Sequence, residues 1–410
     1  MRIKNIDISA KMPKKYDVAL HLCVIMLMIF GTLMIVSTNV GSALSPVKIV
    51  TVLIKQVLFV IVSYLLMAFF ANNFTMRRAQ KLYLIVGCLL AVAMISTQMF
   101  IDTYGSKAWI RIPVPAVGEI TLQPSEFCKV FLIIVLALFI EVAGKRKFDW
   151  WTIMRIPILF FILFLGLTAL QKDFGAILVM IMMCFTCCLL VSNPSLKKFQ
   201  KCIGLGLIIG LLGLFLCFLI PDQLSSFLAN IPILSHISSR IEIAADPFLN
   251  PQVSGYQLIN GLYGFARGGL KGVGFGESIQ KYGYLTQSDN DFILSIVVEE
   301  IGVFGLAFVV FMYGLFIHRL FYYAFRTSSE GYKIILVGTA MYVFVHFALN
   351  VGGVSGLIPL TGVPLLFISS GGSSLMSIMV AVGICQSIIS RIRRQGVLEQ
   401  KVKRKKSPQG

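Results

Sequence analysis

Glu126 and Lys129 stand three residues apart at the head of an otherwise apolar run. On a helix this spacing puts a carboxylate and an ammonium on one face, where they can pair. The setting suits a helix start, with Pro124 at the first position and Glu126 in the positively polarised first turn. A helix start does not need Lys129 inside the apolar run, so the pair is a candidate for binding or proton transfer. Asp173 in Gln171-Lys172-Asp173-Phe174-Gly175, and Asp291 followed by Glu299-Glu300, also border apolar runs. Ionisable groups in such places are costly and usually functional. A carboxylate held there can accept a proton, and a neighbouring cation can steady negative charge. Between residues 268 and 281 lies a run of five glycines ending in Ser278-Ile279-Gln280-Lys281. It fails as a dinucleotide fingerprint because no strand–helix–strand pattern surrounds it. Its consecutive backbone N–H groups could hold an anion, with Lys271 or Lys281 beside them.

These groups must be positioned by membrane helices. Hydrophobic residues make up 57% of the 410 and charged residues 13%, and the mean hydropathy is +0.86. That is far more apolar than a soluble domain. Runs of about 17–25 apolar residues predict ten spans, starting near Val18, Ile49, Leu82, Phe127, Ile156, Phe174, Ile203, Phe292, Ile334 and Ser374. The expected fold is all-α: one polytopic membrane domain over residues 1–410, with a long loop, 221–291, between the seventh and eighth helices. The first run lacks a small-residue cleavage site and reads as an uncleaved anchor.

The net charge of +18 sorts by side. With ten spans, 26 of the 36 Lys and Arg fall on the side of the N-terminal segment (1–16) and the basic tail (391–410). This asymmetry places both termini in the cytoplasm and argues against a nucleic-acid partner. The tail's Lys403-Arg404-Lys405-Lys406 then reads as a contact with anionic lipid. Conversely, twelve of the eighteen Asp and Glu gather on the opposite side, with Lys107, Lys129, Arg240, Arg267, Lys271 and Lys281. A mixed-charge cavity open to the outside is the expectation. Cys184, Cys187 and Cys188 have no His nearby and read as small packing residues.

The stretch 350–375, NVGGVSGLIPLTGVPLLFISSGGSSL, is too rich in Gly, Pro and Ser to be a plain spanning helix. Irregular backbone near membrane depth is tolerated only where protein or a wet cavity satisfies it. Gly362, Pro364, Gly371 and Gly372 should therefore shape a non-helical loop bordering the cavity, with Ser373 and Ser374 capping the last helix.

This stretch closely resembles the C-terminal signature of the SEDS family, the shape, elongation, division and sporulation proteins. Four further blocks follow in family order. They are Gly105 to Ile110 with Gln123-Pro124-Ser125-Glu126 and Lys129; Gln171 to Gly175; Arg240 to Gln257; and Gly268 to Lys281 with Asp291-Phe292-Ile293 and Glu299-Glu300. The Ser278-to-Lys281 form is nearer the FtsW and SpoVE branch. The resemblance implies a ten-helix bundle that polymerises lipid II into peptidoglycan glycan strands at the outer face of the bacterial cytoplasmic membrane. It implies a class B penicillin-binding transpeptidase and other division or elongation proteins as partners. It fixes no cofactor and leaves room for a divalent cation.

The implied substrate-binding residues are Lys107, Trp109, Gln123, Ser125, Glu126, Lys129, Asp173, Arg240, Asn250, Gly255, Tyr256, Gln257, Lys281, Asp291, Glu299, Glu300, Thr361, Gly371, Gly372 and Ser373. The family's catalytic Asp falls five residues before Gly255, where this chain has Asn250. Asp246, one helical turn earlier, is the substitute candidate, against a plain Asx-Pro turn. The alternatives to a polymerase are a flippase for the lipid-linked precursor and a catalytically weak scaffold of the division machinery.

Overall fold

The computed structural model describes residues 7–42, 46–100, 107–114, 118–143, 148–192, 194–220, 226, 235–248 and 255–406. Helices α1 (Val18–Ser42), α2 (Pro46–Asn73) and α3 (Met76–Ser96) lead into a hairpin of β1 (Ile110–Val114) and β2 (Gly118–Leu122). Then come α4 (Pro124–Ala143), α5 (Trp150–Leu170), α6 (Phe174–Leu189) and α7 (Lys197–Leu219). Two shorter helices, α8 (Ser235–Ala245) and α9 (Tyr256–Gly268), lie within the long connection. The chain closes with α10 (Ile293–Ile301), α11 (Val303–Ala324), α12 (Glu330–Val354) and α13 (Gly372–Lys406).

Seven of these helices are long and apolar enough to cross a membrane: α1, α2, α3, α5, α11, α12 and the first part of α13. Helix α6 is apolar but shorter, while α4 and α7 carry charges at their ends. Leu, Ile and Val of α2, α3, α5 and α7 are broadly exposed, as lipid-facing residues are. Helices α4, α12 and α13 are buried on most faces and form the centre.

The described residues form the expected all-α bundle, with a single antiparallel hairpin among them that pairs Ile110 with Leu122 and Val114 with Gly118. The hairpin lies between α3 and α4 and leads straight into α4. One expectation is corrected. The predicted eighth span, starting near Phe292, is two helices. Gly302 separates α10 from α11 at φ +73°, a conformation that strains any residue with a Cβ. Its missing side chain also admits the backbone of Leu270 and Gly272. Glu299 and Glu300 thus close a short helix instead of lying one to two turns inside a long one.

The start of α1 and the later part of α13 are fastened together. Asp17 accepts from Arg319 Nε (3.2 Å) and Tyr323 (2.7 Å), while Gln386 bonds both its backbone N and O. Asp17 is 2% exposed, and a buried carboxylate requires such partners. The opposite end of the bundle carries the N-termini of α4, α6 and α13 and the irregular segment after α12.

Candidate active site

Helix α4 presents Glu126 and Lys129 inward, at 2% and 1% exposure. Lys129 Nζ donates to Glu126 Oε1 at 2.7 Å, and Tyr342 of α12 donates to Glu126 Oε2 at 2.6 Å. Tyr342 OH also lies 3.0 Å from Ser377 Oγ of α13. Lys129 Nζ is 3.1 Å from His346 Nε2, and His346 Nδ1 is 3.1 Å from the Pro364 carbonyl. A buried ion pair is tolerated when hydrogen bonds satisfy its remaining atoms, and these contacts provide them. Rather than lining an open surface, the pair is enclosed between α4, α12 and the signature loop.

Next to it, Asp173 caps α6 by accepting from Ala176 N at 3.0 Å, and its other oxygen accepts from Gln123 Nε2 at 2.8 Å. Burial pushes the Asp173 carboxyl above its ordinary range, with Lys129 and Arg240 opposing the shift. The loop following α12 closes on this corner. A Cβ on Gly175 would come within 2.7 Å of the Thr361 carbonyl, so α6 and the loop touch through backbone. Arg240 of α8 donates to the Leu360 carbonyl at 2.9 Å. Asn350 Nδ2 bridges the carbonyls of Asp291 (2.8 Å) and Val363 (2.9 Å). Gly362, at φ +70°, lies against the Asp291 carboxylate. Burial pushes the Asp291 carboxyl up to about 6, with Asp173 and Asp289 adding to the rise and Arg240 opposing it.

Asp291 Oδ1, Thr361 Oγ1 and Ser125 Oγ are buried without a hydrogen-bond partner among the described residues. Buried polar atoms are rarely left so in folded proteins, and each such group asks for a physical explanation. A corner combining such atoms with Asp173, Asp291 and Arg240 offers hydrogen-bond partners to a hydroxyl-rich ligand and one cation to an anionic group. Among the described residues no three His, Cys, Asp or Glu side chains come together as a metal would require.

The glycine-rich run is arranged differently from its expectation. Glu299 accepts from Ile279 N (3.0 Å), Gln280 N (3.4 Å), Ser278 and Arg267 Nη1 (2.7 Å). Glu300 accepts from Ser37 of α1 at 2.7 Å and from Lys281 at 3.1 Å. Lys281, Glu299 and Glu300 are at most 1% exposed. The anion held by these amides is the chain's own carboxylate, because the break at Gly302 turns the two acids into the loop. These three residues staple residues 269–292 to α10 and α1; the structure does not bring them into the Asp173–Asp291 corner.

Other expected residues are placed as follows. Gln123 N donates to Ser373 Oγ at 2.9 Å, and Ser373 donates to the Thr121 carbonyl at 3.1 Å. Ser373 therefore ties α13 to the hairpin, while Ser374 donates to the Gly371 carbonyl at 2.8 Å; neither caps an α13 N–H. Gly372 begins α13, and a Cβ there would run into the Phe59 ring of α2. It is a close-packing residue, whereas Gly371 precedes the helix in the loop. Gly255 caps α9, which Tyr256 opens, and Gln257 donates to Thr286. Trp109 is half-buried and Lys107 exposed at the hairpin's entry. Asp246 is exposed in a turn at the end of α8, its Oδ1 accepting from Phe248 N at 2.9 Å. Asn250 lies outside the described residues.

Tyr342, His346 and Asn350 were not singled out as site residues by motif reading. Their signal was present: polar residues four apart on one face of an apolar helix.

Residues 17–394 match the family model of the cell cycle proteins FtsW, RodA and SpoVE. The probable peptidoglycan glycosyltransferase FtsW of Bacillus subtilis is 34% identical over 387 residues, covering 92% of this chain and 91% of that protein. Stage V sporulation protein E of the same organism is 29% identical, over 82% and 86% of the two chains. A solved chain described under structural coordination of polymerization and crosslinking by a peptidoglycan synthase complex superposes with a TM-score of 0.69. It is 24% identical, and the match covers 93% of this chain and 100% of that one. The rod shape determining protein RodA of Thermus thermophilus superposes with a TM-score of 0.61 at 21% identity, over 92% and 97%.

Proposed function

This chain belongs to the FtsW, RodA and SpoVE family of cell cycle proteins, and on that premise we propose that it polymerises lipid II into peptidoglycan glycan strands. The observation that carries this reading is the corner where the signature loop gathers Asp173, Asp291, Arg240 and the Glu126–Lys129 pair around partnerless polar atoms. In the reaction, a hydroxyl of the incoming sugar attacks the anomeric carbon of the growing chain. The new C–O bond forms as the bond to pyrophosphate breaks, and undecaprenyl pyrophosphate leaves with the electron pair. The hydroxyl proton passes to a carboxylate. Arg240 offsets charge on the departing pyrophosphate, the enclosed Lys129 adds its positive field at a distance, and Asp173 with Gln123 orients the sugar.

Asp246 is the base in this reading, because it is an exposed carboxylate just past the end of α8, the helix that bears Arg240. Asp246→Ala is expected to abolish polymerisation of labelled lipid II by the purified chain while leaving its melting temperature unchanged. A second reading makes Asp291 the base, favoured by its buried, partnerless Oδ1 and its carboxyl near 6. Full activity in Asp246→Ala together with none in Asp291→Asn selects it. Labelled lipid II also separates the remaining alternatives. A flippase moves it across vesicles without lengthening it, and a scaffold does neither.

A class B penicillin-binding transpeptidase is the proposed partner, alongside other division or elongation proteins, and membrane lipid surrounds the bundle. The proposed orientation places both termini in the cytoplasm and the Asp173–Asp291 corner outside. In a background without accessible native Cys, Ser254→Cys should be labelled by a membrane-impermeant reagent from outside and Ser195→Cys should not. The reverse pattern inverts the orientation.

A further inference from the structure

The geometry points to His346 as the positioning residue that holds Lys129 in place and fastens it to the signature loop. An ammonium only donates hydrogen bonds, so the 3.1 Å contact between Lys129 Nζ and His346 Nε2 makes Nε2 the acceptor. The proton of the neutral ring is then on Nδ1, which donates to the Pro364 carbonyl at 3.1 Å. One imidazole thus fixes the direction of Lys129 and the position of the loop whose Leu360 and Val363 carbonyls bind Arg240 and Asn350. His346 is fully buried, edge-on to the Tyr342 ring at 4.9 Å. Tyr342 completes the arrangement by donating to Glu126. A neighbour that hydrogen-bonds a charged side chain and is itself anchored sets the direction in which that side chain points.

The assignment of His346 to turnover rests on the polymerase reading; its hold on Lys129 does not. His346→Leu keeps an apolar side chain but loses the acceptor and the donor. His346→Gln restores one of each. With full-length protein in lipid vesicles and labelled lipid II, His346→Leu is expected to lower kcat roughly 10–100-fold with little change in KM, the scale of a small misplacement of a catalytic group. His346→Gln should recover most of that loss. The two leucine and glutamine variants are also melted in the wild-type and Lys129→Met backgrounds. His346→Leu should lower Tm more in the first than in the second, because with Lys129 gone only the Pro364 bond is left to lose. Wild-type turnover in His346→Leu, equal losses in both His346 variants, or equal Tm shifts in both backgrounds overturns the proposal. A wild-type chain that never lengthens lipid II overturns the polymerase reading instead, and the melting cycle still decides the role of His346.

Discussion

Lys129→Met is expected to damage the fold as well as the activity. Removing one member of a fully buried ion pair leaves Glu126 charged, held only by Tyr342, and costs about 3–5 kcal/mol. Thermal unfolding in detergent should show a drop of many degrees. Glu126→Gln in the same chain removes the stranded charge and should return most of the lost Tm, since replacing both partners with neutral groups is often nearly neutral. Polymerisation should stay absent in the double variant. If Lys129→Met melts like the wild type, the pair is not closed off from solvent as the geometry requires. If the double variant polymerises lipid II, Lys129 has no part in the reaction.

Asp291→Asn should move stability and activity in opposite directions. The carboxyl of Asp291 is raised from 3.8 to about 6 in the folded chain. A raised carboxylate binds its proton more tightly when folded, so between pH 3.8 and about 6 the folded state carries more protons. Stability therefore falls as pH rises through that window, and the penalty is fully present at neutral pH. Asparagine never ionises. The variant should be more stable than the wild type by roughly 1–2 kcal/mol near pH 7.5, discounted for partial exposure, and should lose that advantage near pH 3.5. Lipid II turnover should fall at least about 100-fold, the scale set by losing an electrostatic or proton-transfer group. Such a trade of stability for a strained site is a mark of function. Unchanged stability at pH 7.5 with normal turnover would return Asp291 to an ordinary loop role.

Much of this was readable in the chain. Apolar runs located most of the helices, because a spanning helix must satisfy its own backbone and present apolar side chains along its whole length. The i,i+3 spacing of Glu126 and Lys129 gave the pair, since neighbours on one helix face need no tertiary information to meet. The proline and glycine of the 350–375 stretch marked it as irregular, because backbone preference is local. Tertiary structure alone decided the partners. Only packing could bring Asp173 to Gln123, Asn350 to the Asp291 and Val363 carbonyls, and His346 to Lys129 across 217 residues. Packing also turned Glu299, Glu300 and Lys281 toward one another. A sequence shows that a buried charge must find a partner, but the partner's distance along the chain is set by which helices lie side by side.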